Sequence, residues 1–414
     1  TVDLLRQSFL ALKRGAAPGV DGVTRSAYEK GLEGRLADLH TRVHRGTYRA
    51  QPSKRTYIPK PDGRKRPLGI AALEDKIVQH AVATVLNAIY EVDFLGFSYG
   101  FRPGRSAHDG LDALYMGLVT QKVNWVLDAD IQGFFDTIDH GHLLELLEYR
   151  IADRRMLRLI RKWLRAGVSE AGQWSATTVG TPQGAVISPL LANVYLHYVL
   201  DCWAHQWRRC SARGTVIIVR YADDFVLGFQ HRLEALRFVN DLRDRLATFG
   251  LSLHPEKTRL IEFGRFAAER RRLRGDGKPE TFDFLGFTHI CGRSRDGRHF
   301  TVRRQTITKR LRAKLHSLKG QIWRCLHADL EEFGRWLGAV VRGYMTYHAV
   351  PGNIDSVTTF RRQVLRYWFR ALRRRGNRRR ITWERFGRLA DPWIPRARIV
   401  HPHPSTRFYA IHPK

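Results

Sequence analysis

The apolar positions of this chain follow two rhythms. Over Leu73 to Tyr90, Ile77, Val78, Ala81, Val82, Val85 and Leu86 recur at three- and four-residue steps, which predicts a helix with one packed face. Leu233 to Phe249 shows the same period, residues 141–165 read as helices rich in Leu and Arg, and another helix starts near Ser188-Pro189. Between them stand short apolar runs bounded by turn residues. Val216 to Val219 and Phe225 to Leu227 flank Tyr221-Ala222-Asp223-Asp224 as strand, tight turn and strand. Trp125 to Ile131 predicts a further strand, Gly250 to Thr258 another, and the segments around Pro61-Asp62-Gly63 a hairpin. From about residue 301 the pattern is helical, near 305–326, 330–349 and 355–376. In the last of these Val357, Phe360, Val364, Leu365, Trp368 and Leu372 form a stripe, with Arg361, Arg362, Arg366, Arg370 and Arg373 largely between them. Recurrent prolines (Pro392, Pro395, Pro402, Pro404) predict an irregular tail.

Two of the predicted strands carry carboxylates. Asp223 and Asp224 fall at a hairpin tip, where like charges about 4 Å apart repel by roughly 4 kcal/mol at an effective dielectric of about 20 unless a cation neutralises them. Asp128 and Asp130 share one face of their strand, and spacing alone does not choose between them. A lone Asp-Asp is good turn chemistry. A strand carboxylate facing such a turn instead suits two Mg²⁺ ions ~3.5–4 Å apart, one activating a 3′-hydroxyl and one holding a triphosphate.

Charge narrows the class of partner. The 414 residues carry a net charge of +32, and residues 301–414 hold 26 Lys and Arg against 6 Asp and Glu. That is the footprint of a polyanion binder whose affinity falls with salt. No run of eighteen apolar residues occurs, so no membrane span is expected. The first residues lack a secretory core, and four scattered cysteines (Cys202, Cys210, Cys291, Cys325) suit reduced thiols rather than a zinc site or disulfides.

The order of the motifs resembles the reverse transcriptases encoded by bacterial group II introns, also called intron maturases. The resemblance rests on Pro18-Gly19-Val20-Asp21-Gly22, Asp130-Ile131-Gln132-Gly133-Phe134-Phe135-Asp136, Gly180-Thr181-Pro182-Gln183-Gly184, Tyr221-Ala222-Asp223-Asp224 and Phe284-Leu285-Gly286-Phe287, and covers nearly the whole chain. It implies an α+β right-hand polymerase: fingers and palm over residues 1–300, a helical thumb or maturase domain over 301–376, and a basic extension over 377–414 that contacts DNA or RNA. The implied activity is that of an RNA-directed DNA polymerase extending a DNA primer on an RNA template with dNTPs. Intron RNA and target DNA are the further partners, in splicing and mobility, within a bacterial cytoplasm beside the nucleoid.

The same resemblance selects Asp130, with Asp223 and Asp224, as the catalytic carboxylates, holding two Mg²⁺ ions together with the backbone carbonyl of Ile131. Lys60 and Arg66 match positions at the triphosphate, Phe135 the aromatic that excludes a 2′-hydroxyl, Gln183 a contact beside the nascent pair, and Lys257 a lysine near the leaving pyrophosphate. Arg102 and Arg105, in the Gly- and aromatic-rich loop Phe97 to Ser106, are expected on nucleic acid, as are Arg362, Arg366 and Arg370. Asp136 and Asp139 read as a helix start with a capping carboxylate, and His401-Pro402-His403-Pro404 as structural. Many such enzymes carry a C-terminal HNH-type endonuclease, and no such segment is visible. Two other classes fit less well: a host-adopted reverse transcriptase serving defence or DNA repair, and an RNA-binding splicing factor without polymerase role, against which the intact carboxylates argue. Nothing in the residues sets an oligomeric state.

Overall fold

Short strands build three sheets in the computed structural model, which describes residues 1–59, 65–181, 184–294, 296–325, 327–375 and 381–412. The strands are β1 (Ser53–Pro59), β2 (Lys65–Ile70), β3 (Trp125–Asp130), β4 (Val168–Glu170), β5 (Gln173–Ser175), β6 (Val216–Tyr221), β7 (Asp224–Phe229), β8 (Arg259–Glu262), β9 (Phe282–Phe284), β10 (Phe287–Arg293) and β11 (Phe300–Thr306). Their orders are β2-β1-β4-β5, β6-β7-β3-β8 and β11-β10-β9. With helices around them, the fold is the mixed α+β type of a right-hand polymerase.

The chain divides into two compact units, the first made of Thr1–Gly110, Ala129–Leu227 and Arg232–Arg259. Here β1 and β2 pair antiparallel with Ile58 opposite Arg66, and β1 runs parallel to β4 through Ser53 and Val168. The helix Leu73–Tyr90 buries Ile77, Val78, Ala81, Val82 and Leu86, while Val85 at the edge of that stripe is exposed. Asp139 caps the helix His140–Glu148, its carboxylate accepting from the His142 N–H at 2.8 Å. The helix Ser188–Leu196 passes through a π-helical turn, His197–Asp201, into the helix Cys202–Cys210. Gly250 to Thr258 departs from expectation. It forms one bridging pair at Leu253 and a turn at Pro255-Glu256-Lys257, because Pro255 has no N–H for a ladder, and strand structure resumes only at Arg259.

The second unit comprises Leu111–Asp128, Gly228–His231 and Leu260–Lys414. Its helices Thr308–Arg324, Leu330–His348 and Ile354–Arg375 stand close to the expected ranges. Leu318, Ile322, Leu337, Val341, Phe360, Val364 and Trp368 meet in its core, and Tyr344 stacks on Phe360 at 3.7 Å. The same unit holds a buried ion pair, Arg304 Nη1 to Asp112 Oδ1 at 2.8 Å. The tail is more regular than its prolines suggest, forming the helices Trp383–Ala390 and Pro404–Ile411. Pro404 sits at a helix start, where proline's missing N–H costs nothing, and the His403 ring caps it. His401 bonds the Thr346 carbonyl at 2.6 Å, so both histidines hold backbone. Among the described residues no helix is long and apolar enough to cross a membrane.

Candidate active site

The Tyr221-Ala222-Asp223-Asp224 turn is held from inside its own strand. Arg220 is 1% exposed, and a buried guanidinium must be paired. Its Nε and Nη2 meet the two carboxylate oxygens of Asp201 at 2.7 and 2.5 Å, Nη2 also donates to Ser98 Oγ at 2.7 Å, and Nη1 donates to Asn193 Oδ1 at 3.1 Å and to the Ala222 carbonyl at 2.9 Å. The last bond matters because Ala222 has φ +57, a left-handed conformation that a side chain disfavours. The π-helical turn ends at Asp201, which presents its carboxylate to Arg220, and π-turns are frequent at functional sites.

The loop of Phe97 to Ser106 braces the same turn. The Tyr99 N–H donates to the Arg220 carbonyl at 2.8 Å, and Arg220 N–H donates to the Phe97 carbonyl at 2.9 Å. A Cβ on Gly100 would lie 2.4 Å from the Ala222 nitrogen, so only glycine fits there. The close approach that Gly100 permits is thus to protein backbone. Arg102 departs from the expectation that it contacts nucleic acid. It is buried, pairs with Glu91 at 2.6 Å and donates to the carbonyls of Phe94, Leu95 and Ser98, which leaves no donor for a phosphate. Arg105 is half-buried, bonded to the Gly96 carbonyl at 2.7 Å and placed over the Tyr99 ring.

Asp130 ends β3 opposite the segment 252–258. Gln132 N–H donates to the Ser252 carbonyl at 2.9 Å and His254 N–H to the Asp130 carbonyl at 2.8 Å, with Ile131 and Leu253 as an antiparallel pair between them. The turn that follows returns Lys257 so that its ammonium donates to the Asp130 carboxylate. Asp223 lies within the field of these groups. Burial, and then the charge of Asp130, push its carboxyl above the usual carboxylate range, while Arg66 and Lys257 pull it down. Two carboxylates, Asp130 and Asp223, and two cationic side chains, Arg66 and Lys257, therefore share one neighbourhood. Asp224 opens β7, where the pleat turns successive side chains to opposite faces. Among the described residues no three His, Cys, Asp or Glu side chains gather closely enough to hold an ion unaided. Two carboxylates with backbone oxygens still suit Mg²⁺, which keeps waters and takes substrate phosphates as ligands.

Phe135 is half-buried beside the core residue Phe134, ring centroids 5.4 Å apart. It lines a cavity of about 200 Å³ with Arg55, Gly69, Gly180 and Thr181. Lys60 and Gln183 lie outside the described residues. Arg362, Arg366 and Arg370 are exposed at four-residue steps on one face of the helix Ile354–Arg375.

A strand carboxylate set against a carboxylate hairpin, with lysine and arginine beside them, defines a polymerase palm, the class of template-directed nucleotidyl transferases. The chain belongs to the reverse transcriptase (RNA-dependent DNA polymerase) family, whose sequence model matches residues 58–289. It is 35% identical to Protein YkfC of Escherichia coli K12 over 321 residues, 70% of this chain and 80% of that protein. It is 46% identical to the group II intron-encoded protein LtrA of Lactococcus lactis subsp. cremoris over 153 residues, 37% of this chain, and spans a quarter (25%) of LtrA's length. Among solved structures, a telomerase from Candida albicans overlays with TM-score 0.46 at 13% identity, covering 88% of this chain and 65% of that one.

The sequence reading missed Arg220, Asp201 and Asn193. A usable signal was present: an arginine inside the apolar run Val216 to Tyr221 has to find a buried partner.

Proposed function

We propose that this chain extends a DNA primer on an RNA template, in the manner of group II intron enzymes, and binds intron RNA to assist splicing and mobility. The observation that carries this reading is the juxtaposition of Asp223 and Asp130 with Arg66 and Lys257. Reverse transcriptases use divalent metal cations. Here Asp130, Asp223 and Asp224, with the Ile131 carbonyl, would hold two Mg²⁺ ions. When bound, such ions supply Lewis-acid activation of the primer 3′-hydroxyl and charge on the triphosphate.

The protein's own groups do the rest. Arg66, exposed near the start of β2, steers the triphosphate, and Lys257 holds a proton beside the departing pyrophosphate. Phe135 closes the sugar side of its cavity against a 2′-hydroxyl. Lys60 and Gln183 are assigned to the nucleotide by resemblance. Residues 1–300 serve as fingers and palm, 301–376 as the thumb, whose Arg362, Arg366 and Arg370 face the duplex backbone, and 377–414 as a further nucleic-acid contact that reaches target DNA.

Primer extension on an RNA template with dNTPs and Mg²⁺ tests the reading. Wild type extends, and Asp130→Ala and Asp223→Ala lose about 10³-fold or more, since each removes an oxygen ligand at the reacting centre. Extension that survives either substitution would sink it. Protein-assisted splicing that persists in Asp223→Ala while primer extension is lost would show that the two activities are separable.

A further inference from the structure

The helix Arg154–Arg165 has no part in the site described above. Its 12 residues include five arginines, one lysine and no acid. Leu157, Ile160, Trp163 and Leu164 are buried on one side. At 3.6 residues per turn, Arg154, Arg158, Arg161 and Arg165 fall within about 60° of one another on the other side, and all four are exposed.

The remaining basic residues of this helix are engaged. Arg155 pairs with Asp153 at 3.3 Å, and Lys162 donates to the carbonyls of Gly46 and Tyr48 at 3.0 and 2.5 Å. Those two bonds bring the preceding turn alongside, and its exposed Arg45 shares a groove with Arg155 and Arg158. Among the described residues no carboxylate pairs with the four arginines of the stripe. Glu145 and Glu148 line a cleft with Arg161 and Arg165 at more than ion-pair distance. Like charges at three- and four-residue steps repel, and cations in a first turn oppose the helix dipole. A polyanion removes both penalties at once.

We propose that this stripe docks the sugar–phosphate backbone of a folded RNA outside the template–primer path. This rests on the reading of the chain as an enzyme that copies and binds RNA. Guanidinium forks recognise phosphate bidentately, and here they recur at axial steps of about 6, 4.5 and 6 Å. The apolar side of the helix is spent on the protein core, so it has none to insert into a lipid surface.

The test uses the full chain and a variant with Arg154, Arg158, Arg161 and Arg165 all changed to Gln. The probes are a structured RNA hairpin and a DNA hairpin of the same sequence, titrated across a salt series, with primer extension on a short unstructured template run in parallel. The variant is expected to bind the RNA hairpin at least about tenfold more weakly, with the log–log salt slope flatter by about 3. Its extension of the short template stays within about twofold of wild type. A matching four-position Arg→Lys variant keeps most of the salt slope, because it keeps the charge. Unchanged affinity and slope in the Gln variant, or an equal loss on the DNA hairpin, overturns the proposal. A wild type that binds the RNA hairpin through the stripe yet never extends a primer overturns instead the reading of the chain as a polymerase.

Discussion

Lys257 donates an ion-paired hydrogen bond to the carboxylate of Asp130, so a side-chain cation rests on one of the ligands proposed for Mg²⁺. Divalent cation and ammonium then compete for the same oxygens. Lys257→Ala should show a larger Mg²⁺-induced rise in melting temperature than wild type. Without metal it should lose less than about 1 kcal/mol, because the lysine is about half exposed. Its extension rate should fall roughly 10²-fold if the ammonium also serves the leaving group. Identical Mg²⁺ shifts in the two proteins would refute the competition.

Asp223 is maintained at a cost to stability. Its carboxyl is raised by burial and by Asp130, so its favourable contribution is complete in acid, below the unfolded carboxylate range, and is lost as pH rises through the folded value. Asp223→Asn should therefore melt above wild type in metal-free buffer at neutral and alkaline pH, converge with it in acid, and be inactive. Thermal unfolding at several pH values with chelator present decides this. A variant less stable than wild type at neutral pH would contradict it.

Gly100→Ala pushes a methyl group into the Ala222 backbone. The expected result is a folded protein by circular dichroism whose primer extension is about 10²-fold slower, since an error of about 1 Å at a reacting centre has that effect. Full activity would mean that the turn tolerates displacement.

Asp201→Asn leaves the Arg220 charge buried without a counter-ion. Breaking a buried pair in this way typically costs about 3–5 kcal/mol. Chemical denaturation should report a loss of that order, with extension falling in the folded fraction as well. A loss below about 1 kcal/mol would mean that Ser98, Asn193 and the Ala222 carbonyl suffice for Arg220.

His289 gives the acid limb of stability. It is fully buried on β10 opposite Arg304 of β11, and it stacks on Phe282 at 4.7 Å. Burial, then the neighbouring Arg304 charge, push its pKa down to about 3 from 6.5. Its contribution is thus present above 6.5 and drains away toward 3, at up to about 1.4 kcal/mol per pH unit. His289→Phe should keep the stack and remove this drain, so that its advantage over wild type grows as pH falls. A constant difference across that window would exclude His289 as the titrating group.

Much of this architecture was legible because one periodicity specified it. The helices Leu73–Tyr90 and Ile354–Arg375 declare their packed faces in sequence, and the hairpin around Asp223 is framed by two apolar runs, the first of them β-branched. Arginine chemistry was harder to read, because a loop arginine looks the same whether it meets a phosphate or, like Arg102, a glutamate eleven residues back. Proline misled in the tail, where Pro404 starts a helix, and Pro255 was passed over where it turns Lys257 onto Asp130. The alliance of Arg220 with Asp201 and Ser98 joins segments distant along the chain, so the apolar run around Arg220 signals that a partner is needed but not which residues supply it.

A turn bolted through Arg220 to a helix and a loop behaves as a fixed anvil. It has no slack with which to follow a growing duplex, so each cycle of copying must move the nucleic acid past a stationary point. Variants that alter fidelity or step length should therefore cluster in segments that touch the strands, while changes around Arg220 should lower rate or stability and leave fidelity and step length as they were.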